Sequence, residues 1–311
     1  AASLKKAMLP ESVTAIGEYT FQECAALTEV RLPSTLTAIT KYMFKDCGEL
    51  KEISIPSGVT TIGDHSFSGC AKLKKIELPS GVTTIDRAAF AYCSSITELS
   101  LPEGVTQIPA YMVQNATKLE TLYLPAGIKS VGTGAFAGII NTIKYIVYEG
   151  TPEQWAAITG AAKPSHPTYS AIFLYGAKSI GDQTGAPVIT EQPQEQGFAV
   201  DEDAKDTLKV KADVLKENEK YYITWFKNTQ NTTEGGTDYT GTMTEDGLGS
   251  TATPSTDIRK NDYYYCLVEK VDANGVATWT YSDVVVVTVG ADLFQTGNGT
   301  KTKPYELNTA E

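Results

Sequence analysis

Apolar residues recur along the first half of the chain with a period of 23 residues. Each repeat contains a short pattern of apolar residues, such as Leu73-x-x-Ile76-x-Leu78, whose alternation predicts a strand with one buried face. A proline follows each pattern and ends the strand, because proline cannot donate to a sheet ladder. These prolines are Pro10, Pro33, Pro56, Pro79, Pro102 and Pro125. One such unit is too small to bury a core alone, so the pattern predicts repeats stacked into a solenoid.

Phenylalanine and cysteine keep the same period in the second part of each repeat, where residues 88–93 and their counterparts are predicted to form short helical turns. The cysteine column consists of Cys24, Cys47, Cys70 and Cys93. A regular thiol column could indicate metal binding or redox chemistry. Ala116 and Ile139 occupy the same column, however, and neither can do thiol chemistry. We therefore expect a small, buried apolar position at which cysteine acts as a hydrophobic residue.

The repeat sequence LPSGVTTIDRAAFAYC at residues 78–93 resembles the BspA-type leucine-rich repeat, a class found on bacterial cell surfaces. The resemblance covers residues 1–148 and implies a mainly β leucine-rich-repeat solenoid. Residues 148–158 resemble the segment that closes many such arrays. There Thr151 is expected to cap a short helix with Pro152 in its first position, and Trp155 and Ile158 would cover the last repeat.

The second half of the chain changes pattern after a segment rich in alanine, glycine, proline and serine. Residues 149–186 are interpreted as the C-terminal cap and a linker. The arrangement Trp225…Tyr264-x-Cys266 resembles an immunoglobulin-like β-sandwich over residues 187–289, with the tryptophan in its core. Ala212 stands near the position of the usual second cysteine, so no inter-sheet disulfide is expected. The tail, residues 290–311, resembles the opening of a further module of bacterial surface proteins.

Charge and composition exclude several classes of function. Residues 1–148 carry 13 basic and 13 acidic residues, whereas residues 149–311 carry 13 basic and 24 acidic ones. Nucleic acid is not expected as a partner, because phosphate binding needs a basic face. Two histidines in 311 residues argue against an enzyme. No apolar run reaches the roughly 18 residues of a membrane-spanning helix.

Two further groups of residues were considered for chemistry. His65 lies five residues before Cys70, but nothing in the sequence supplies the third group that orients a nucleophile and its base. The acidic run of residues 201–206 could hold Ca²⁺, although it lacks the glycine and the spaced ligands of a calcium loop. We interpret it as a solvated loop. No metal, cofactor or catalytic residue is predicted.

The outward positions of the repeat strands are the best candidate for binding, because solenoids use such extended faces to engage ligands. A constant 23-residue spacing places Lys144 and Ile146 at the C-terminal end of the two outward columns. The predicted binding residues are Glu29, Arg31, Glu52, Lys75, Glu77, Glu98, Tyr123 and Lys144. Tyr123, Tyr145 and Ile146 would form a small apolar patch. An ordinary solvated sheet face would show the same mixed charges.

The resemblance implies a bacterial protein that is secreted or exposed on the cell surface, although its first residues show no signal-peptide pattern. Its expected function is non-enzymatic binding or adhesion, with an extracellular protein or glycan as ligand and no membrane insertion. One alternative is a structural spacer that displays other modules. Another is a glycan-binding accessory part of a larger surface enzyme.

Overall fold

The computed structural model describes residues 3–139, 142–159, 171–198, 207–239, 241–244, 247–254 and 261–289. The chain folds as two compact units, Ala1–Ile180 and Gly181–Glu311. The acidic run at 201–206 and the tail at 290–311 lie outside the described residues. The limits predicted for the four segments, at residues 148, 186 and 289, remain predictions.

The first unit is a stack of coils that present short parallel strands. The strands of the stack are β1 (Lys6–Met8), β2 (Glu29–Arg31), β3 (Ala38–Ile39), β4 (Thr61–Ile62), β5 (Thr84–Ile85), β6 (Glu98–Ser100), β7 (Gln107–Ile108), β8 (Thr121–Leu124), β9 (Ser130–Val131), β10 (Tyr145–Tyr148) and β11 (Ile172–Tyr175). The strand β12 (Ser179–Ile180) follows at the end of the unit and belongs to none of the sheets of the stack. One series of strands begins with β1 and β2, continues through an isolated bridge between Ser54 and Glu77, and ends in the sheet β6-β8-β10-β11. A second series contains the sheets β3-β4-β5 and β7-β9. The predicted mainly β solenoid is confirmed.

Continuous columns of apolar side chains form the core of this unit. Phe21, Phe44, Phe67 and Phe90 are fully or almost fully buried, and their rings stack with centroids 5.4, 5.5 and 5.8 Å apart. Leucine, isoleucine and valine columns pack against them. Each repeat thus covers the apolar face of the next, which is why one repeat cannot fold alone.

The segments predicted as short helical turns are not helical. Each consists of successive tight turns, in which Cys70 N–H bonds to the carbonyl of Phe67 three residues earlier. Two residues per turn adopt positive φ, as at His65 (53°) and Gly69 (78°). This conformation points alternate N–H groups at the following repeat, and the N–H of Phe67 donates to the carbonyl of Ala89. Hydrogen bonds between repeats therefore replace those within a helix.

The helix α1 (Pro152–Ala157) follows the strand β10 at the C-terminal end of the repeats. Thr151 is its N-cap and forms a capping box with Gln154, with hydrogen bonds of 2.8 and 3.3 Å. Trp155 is buried with its ring 5.1 Å from that of Tyr148 and 5.5 Å from that of Phe173. The chain then forms β11, which pairs with β10 in parallel and adds another strand to the sheet. At six residues, α1 is the longest helix in the described part of the chain, and no helix there could cross a membrane.

The second unit contains two sheets. Its described strands are β13 (Ile189–Glu191), β14 (Gln196–Phe198), β15 (Leu208–Ala212), β16 (Lys220–Asn228), β17 (Thr237–Tyr239), β18 (Thr242–Met243), β19 (Gly249–Ala252), β20 (Asn261–Val271), β21 (Val276–Tyr281) and β22 (Val285–Val289). One sheet has the order β13-β15-β19-β18, and the other is built around the β16-β20 pair. Trp225 lies in the core opposite Cys266, and its Nε1 donates to Ser250 at 3.0 Å. Cys266 is a free thiol. The immunoglobulin-like assignment stays a prediction.

Candidate binding face

The outward positions of the first strand series form two columns, which we call the front face. Strand register and the repeat period place Lys6, Glu29, Glu52, Lys75, Glu98, Thr121, Tyr145 and Ile172 in the first column. The second column consists of Met8, Arg31, Ser54, Glu77, Ser100, Tyr123, Val147 and Leu174. The structure therefore brings seven of the eight predicted binding residues together on one face, with Tyr123 half-buried and the other six exposed.

Lys144 is the exception, and its predicted place in the first column is wrong. The apolar positions Ile139 and Ile143 are four residues apart, whereas Ala116 and Leu119 in the preceding repeat are three apart. The register consequently shifts by one residue, and Tyr145 pairs with Thr121. Lys144 instead lies beside Glu120, with 3.0 Å between Nζ and the carboxylate.

The same shift changes the predicted apolar patch. Ile146 is fully buried in the core, and Val147 takes its place beside Tyr123 in the second column. Val147 and its neighbour Leu174 are themselves fully buried. The accessible part of the front face therefore runs from its N-terminal end to Tyr123.

Ion pairs along the front face neutralise some of its charges. Lys75 Nζ lies 2.7 Å from Glu77, and this contact raises the pKa of the lysine and lowers the pKa of the carboxylate. Lys6 lies 2.6 Å from Glu29, and Arg31 lies 3.6 Å from Glu11. All of these ion pairs are solvent-exposed, so each contributes little to the free energy of folding.

Glu52 and Glu98 form no ion pair with any residue in the described ranges. Glu98 lies near Tyr123, where its charge adds to the effect of burial and raises the pKa of the tyrosine hydroxyl.

A chain of open grooves follows the front face. The largest has a volume of about 650 Å³ and contains Glu77, Ser100 and Tyr123. Grooves of about 450 and 320 Å³ continue it toward the N-terminal end, each sharing residues with the next. The charged residues of the largest groove are Lys74, Lys75, Glu77, Glu98, Glu103 and Glu149, which leave an excess of two negative charges.

The sequence interpretation missed two acidic residues of this groove. Glu103 follows the proline column by one position, where most repeats carry serine or alanine, and Glu149 follows β10. Burial raises the pKa of Glu149. The positive charge of Lys178 lowers this pKa, and the negative charge of Glu103 raises it. Glu103 stands where most repeats have serine or alanine after the proline. A position that varies between repeats while its neighbour stays constant lies on the surface, and this variation was the sequence signal for Glu103.

A second set of side chains missed at the sequence level lies along the turn segments. The rings of Tyr19 and Tyr42 stack at 5.0 Å, and so do those of Tyr42 and His65. His65 Nδ1 also contacts the carboxylate of Asp64. All three ring residues have positive φ and share one 23-residue column, so the column itself could have revealed the stack.

The cysteines match the expectation of buried apolar positions. All four of the column are buried and form no disulfide with a described residue, and burial raises the pKa of Cys93 to about 12. Cys70 donates to a backbone carbonyl and does not pair with His65. Among the described residues, no three histidine, cysteine or acidic side chains are grouped so that they could hold a metal ion.

Comparison with known proteins identifies the repeats. A family model for the BspA type leucine rich repeat region matches residues 1–58 and 37–155, in six copies. No curated protein matches the chain.

Several solved structures are similar to the chain. They include a leucine rich cell surface protein from Faecalibacterium prausnitzii A2-165, at 22% identity over 64% of this chain and 58% of that chain, with a TM-score of 0.44. A leucine rich repeat protein of T. pallidum matches at 27% identity over 46% of this chain and 57% of that one, with a TM-score of 0.37. A leucine-rich repeat protein of Eubacterium ventriosum matches at 26% identity over 57% and 51%, with a TM-score of 0.41. The chain therefore spans little more than half of each.

Proposed function

Because residues 1–155 belong to the BspA-type leucine-rich repeat family, we propose that this chain is a non-enzymatic binding protein of a bacterial surface or its secreted fraction. Its front face engages an extracellular protein. The observation that carries this proposal is the gathering of Glu29, Arg31, Glu52, Lys75, Glu77, Glu98 and Tyr123 along one row of connected grooves.

Three properties of the front face support a protein partner. It is extended, so it can contact many residues of a partner at once. It is solvated and rich in charge, which gives orientation and specificity to an encounter. It also contains a half-buried tyrosine in a groove whose acidic residues outnumber its lysines by two, and tyrosine is enriched at residues that contribute most of the binding energy.

A catalytic role is not proposed. Among the thiols that could serve as nucleophiles, Cys47 and Cys93 are buried, and burial raises the pKa of each to about 12. His65 is stacked on Tyr42 and bonded to Asp64. This arrangement holds the imidazole against the repeat surface and away from a nucleophile.

The proposal is tested by a binding screen of the full chain against immobilised matrix proteins, mucins and a glycan array. We expect saturable binding to a protein ligand that is weakened at least about tenfold by Tyr123→Ala or by the double change Glu77→Lys and Glu98→Lys. The matched control is Glu23→Lys, at an exposed glutamate outside the front face. Equal loss with the control would overturn the assignment of the face. Absence of binding to every surface would favour the spacer function.

A second candidate function, glycan binding, is favoured by the Tyr19, Tyr42 and His65 stack. Sugars pack against aromatic rings, and Tyr19 is 47% exposed. If this site binds glycans, Tyr19→Ala should abolish glycan-array signal, and Tyr123→Ala should leave it unchanged. The opposite result would place any glycan on the front face.

A further inference from the structure

The second column of the front face contains a gap at Ser100. This serine pairs with Tyr123 on one side, and Glu77 follows one repeat away on the other. Strands of a sheet lie about 4.8 Å apart, so the backbones of Glu77 and Tyr123 are about 9.6 Å apart. A serine between two long side chains leaves an opening, which we call the Ser100 notch. All three residues line the groove of about 650 Å³.

The walls of the Ser100 notch differ in chemistry. Tyr123 lies on one side. The charged residues of the groove are Glu77 across the notch, Glu98 in the first column, Glu103 and Glu149 toward the proline edge, and the lysines Lys74 and Lys75, which leaves an excess of two negative charges. Glu77 already contacts Lys75. Glu98 and Glu103 form no ion pair with any residue that the structure describes.

Local electrostatics indicate an excess of negative charge around this notch. Burial raises the pKa of Glu149, and the charge of Glu103 raises it further, although Lys178 opposes this. Burial also raises the pKa of Tyr123, and the charge of Glu98 raises it further. An added cation would relieve these repulsions, whereas an anion would increase them.

We propose that the Ser100 notch receives a lysine or arginine side chain from a partner polypeptide. The cation stacks against the Tyr123 ring and pairs with Glu98, while its aliphatic stem lies over Ser100. This inference rests on the proposed function and specifies the partner as a segment with an exposed basic residue. A rigid aromatic wall beside free carboxylates selects such a side chain over apolar or acidic ones.

The test uses the full chain and a fluorescein-labelled peptide of 12 residues that alternates lysine and serine, measured by fluorescence anisotropy at about 50 mM salt. A peptide with glutamine in place of lysine is the probe control. We expect Ser100→Leu, which fills the notch, and Glu98→Gln each to weaken binding by about fivefold or more. Tyr123→Leu should weaken it similarly, and Tyr123→Phe should retain most of it, because phenylalanine keeps the ring.

Glu23→Gln is the matched control for charge, since Glu23 is an exposed glutamate of a turn segment and lies outside the front face. Equal weakening by Glu23→Gln and Glu98→Gln, or binding unaffected by Ser100→Leu, would overturn the notch and leave only general attraction to an acidic protein. Thermal unfolding of each variant shows that the fold is kept. If protein ligands still require the front face while the lysine peptide fails to bind, the notch is refuted and the proposed function stands.

Discussion

The thiol of Cys70 donates a hydrogen bond of 3.2 Å to the backbone carbonyl of Phe44, 26 residues earlier. Cys47 and Cys93 make the equivalent bonds to the carbonyls of Phe21 and Phe67, each at 3.1 Å. Each thiol thereby joins its own repeat to the preceding one underneath the phenylalanine stack. The cysteine column is thus a structural connection between repeats.

Replacing Cys70 separates the contribution of this hydrogen bond from that of packing. Cys70→Ala removes both the sulfur and the donor, and we expect it to lower the free energy of unfolding by about 1–2 kcal/mol. Cys70→Ser keeps a donor and should cost less. Urea unfolding of the two variants measures the difference. If the serine variant is less stable than the alanine variant, then packing of the sulfur, and not its hydrogen bond, accounts for the contribution of Cys70 to stability.

The buried thiols should be unreactive in the folded chain. Burial raises the pKa of Cys47, Cys93 and Cys266 to about 12, and only a thiolate attacks an alkylating reagent. At pH 8 we expect iodoacetamide to modify none of the five cysteines of the native chain and all five in guanidinium chloride, as read by mass spectrometry. Rapid native labelling of one column member would point to thiol chemistry there.

Two glycines of the repeats should differ sharply in their tolerance of a side chain. A Cβ added at Gly132 would overlap the backbone nitrogen of Ala110 and lie 2.8 Å from its Cα. At Gly127 the nearest atom would be 3.6 Å away, an ordinary contact. Gly132→Ala should therefore lower the midpoint of thermal unfolding and cost about 1–3 kcal/mol. Gly127→Ala should change stability by less than about 1 kcal/mol; similar losses in both would contradict this close approach.

The sequence predicts the front face only where apolar and polar positions alternate clearly along a strand. In Ile96-x-x-Leu99-x-Leu101 polar residues separate the apolar ones, so the inward side is unambiguous. Two repeats later, residues 145–148 are all aromatic or aliphatic and fit either register. The hydrogen bonds of β10 to β8 pair Tyr145 with Thr121. The four-residue spacing of Ile139 and Ile143 is the sequence signal of this register, and a constant 23-residue spacing overlooks it, which misplaces Lys144 and Ile146.

The turn segments show a different limit of local pattern. Residues 88–91 include three alanines, which favour helix. In the stack, however, the N–H of Phe90 can bond to the carbonyl of Met112 in the next repeat, and it does. Tertiary hydrogen bonds therefore override local propensity, and no single repeat carries the information needed to predict them.

The cap should be essential to the stability of the first unit. Trp155 is 5% exposed and contacts the rings of Tyr148 and Phe173. Trp155→Ala should destabilise the unit by about 3–5 kcal/mol and expose the last repeat. Thr151→Ala removes only one N-cap acceptor and should cost about 1 kcal/mol. Hydrogen exchange in β10 measures both effects, and equal protection in the two variants would exclude a capping role for the tryptophan.

The second unit should lose stability in acid through Asp213. Burial favours the neutral carboxyl, but hydrogen bonds from the Tyr221 hydroxyl and the Val188 N–H outweigh burial and lower the pKa of Asp213. A lowered folded pKa stabilises the unit above the unfolded value of about 3.9, and this stability is lost as the pH falls through the folded pKa.

Tyr221→Phe removes one of these donors and should cost about 1 kcal/mol at pH 7. At a pH low enough to protonate Asp213 in both proteins, the difference should shrink. Urea unfolding at each pH, read by hydrogen exchange across β16 (Lys220–Asn228), measures it. A difference that stays constant between the two pH values would mean that the hydroxyl acts by packing alone, because a bond to the ionised carboxylate must weaken when that carboxylate is neutralised.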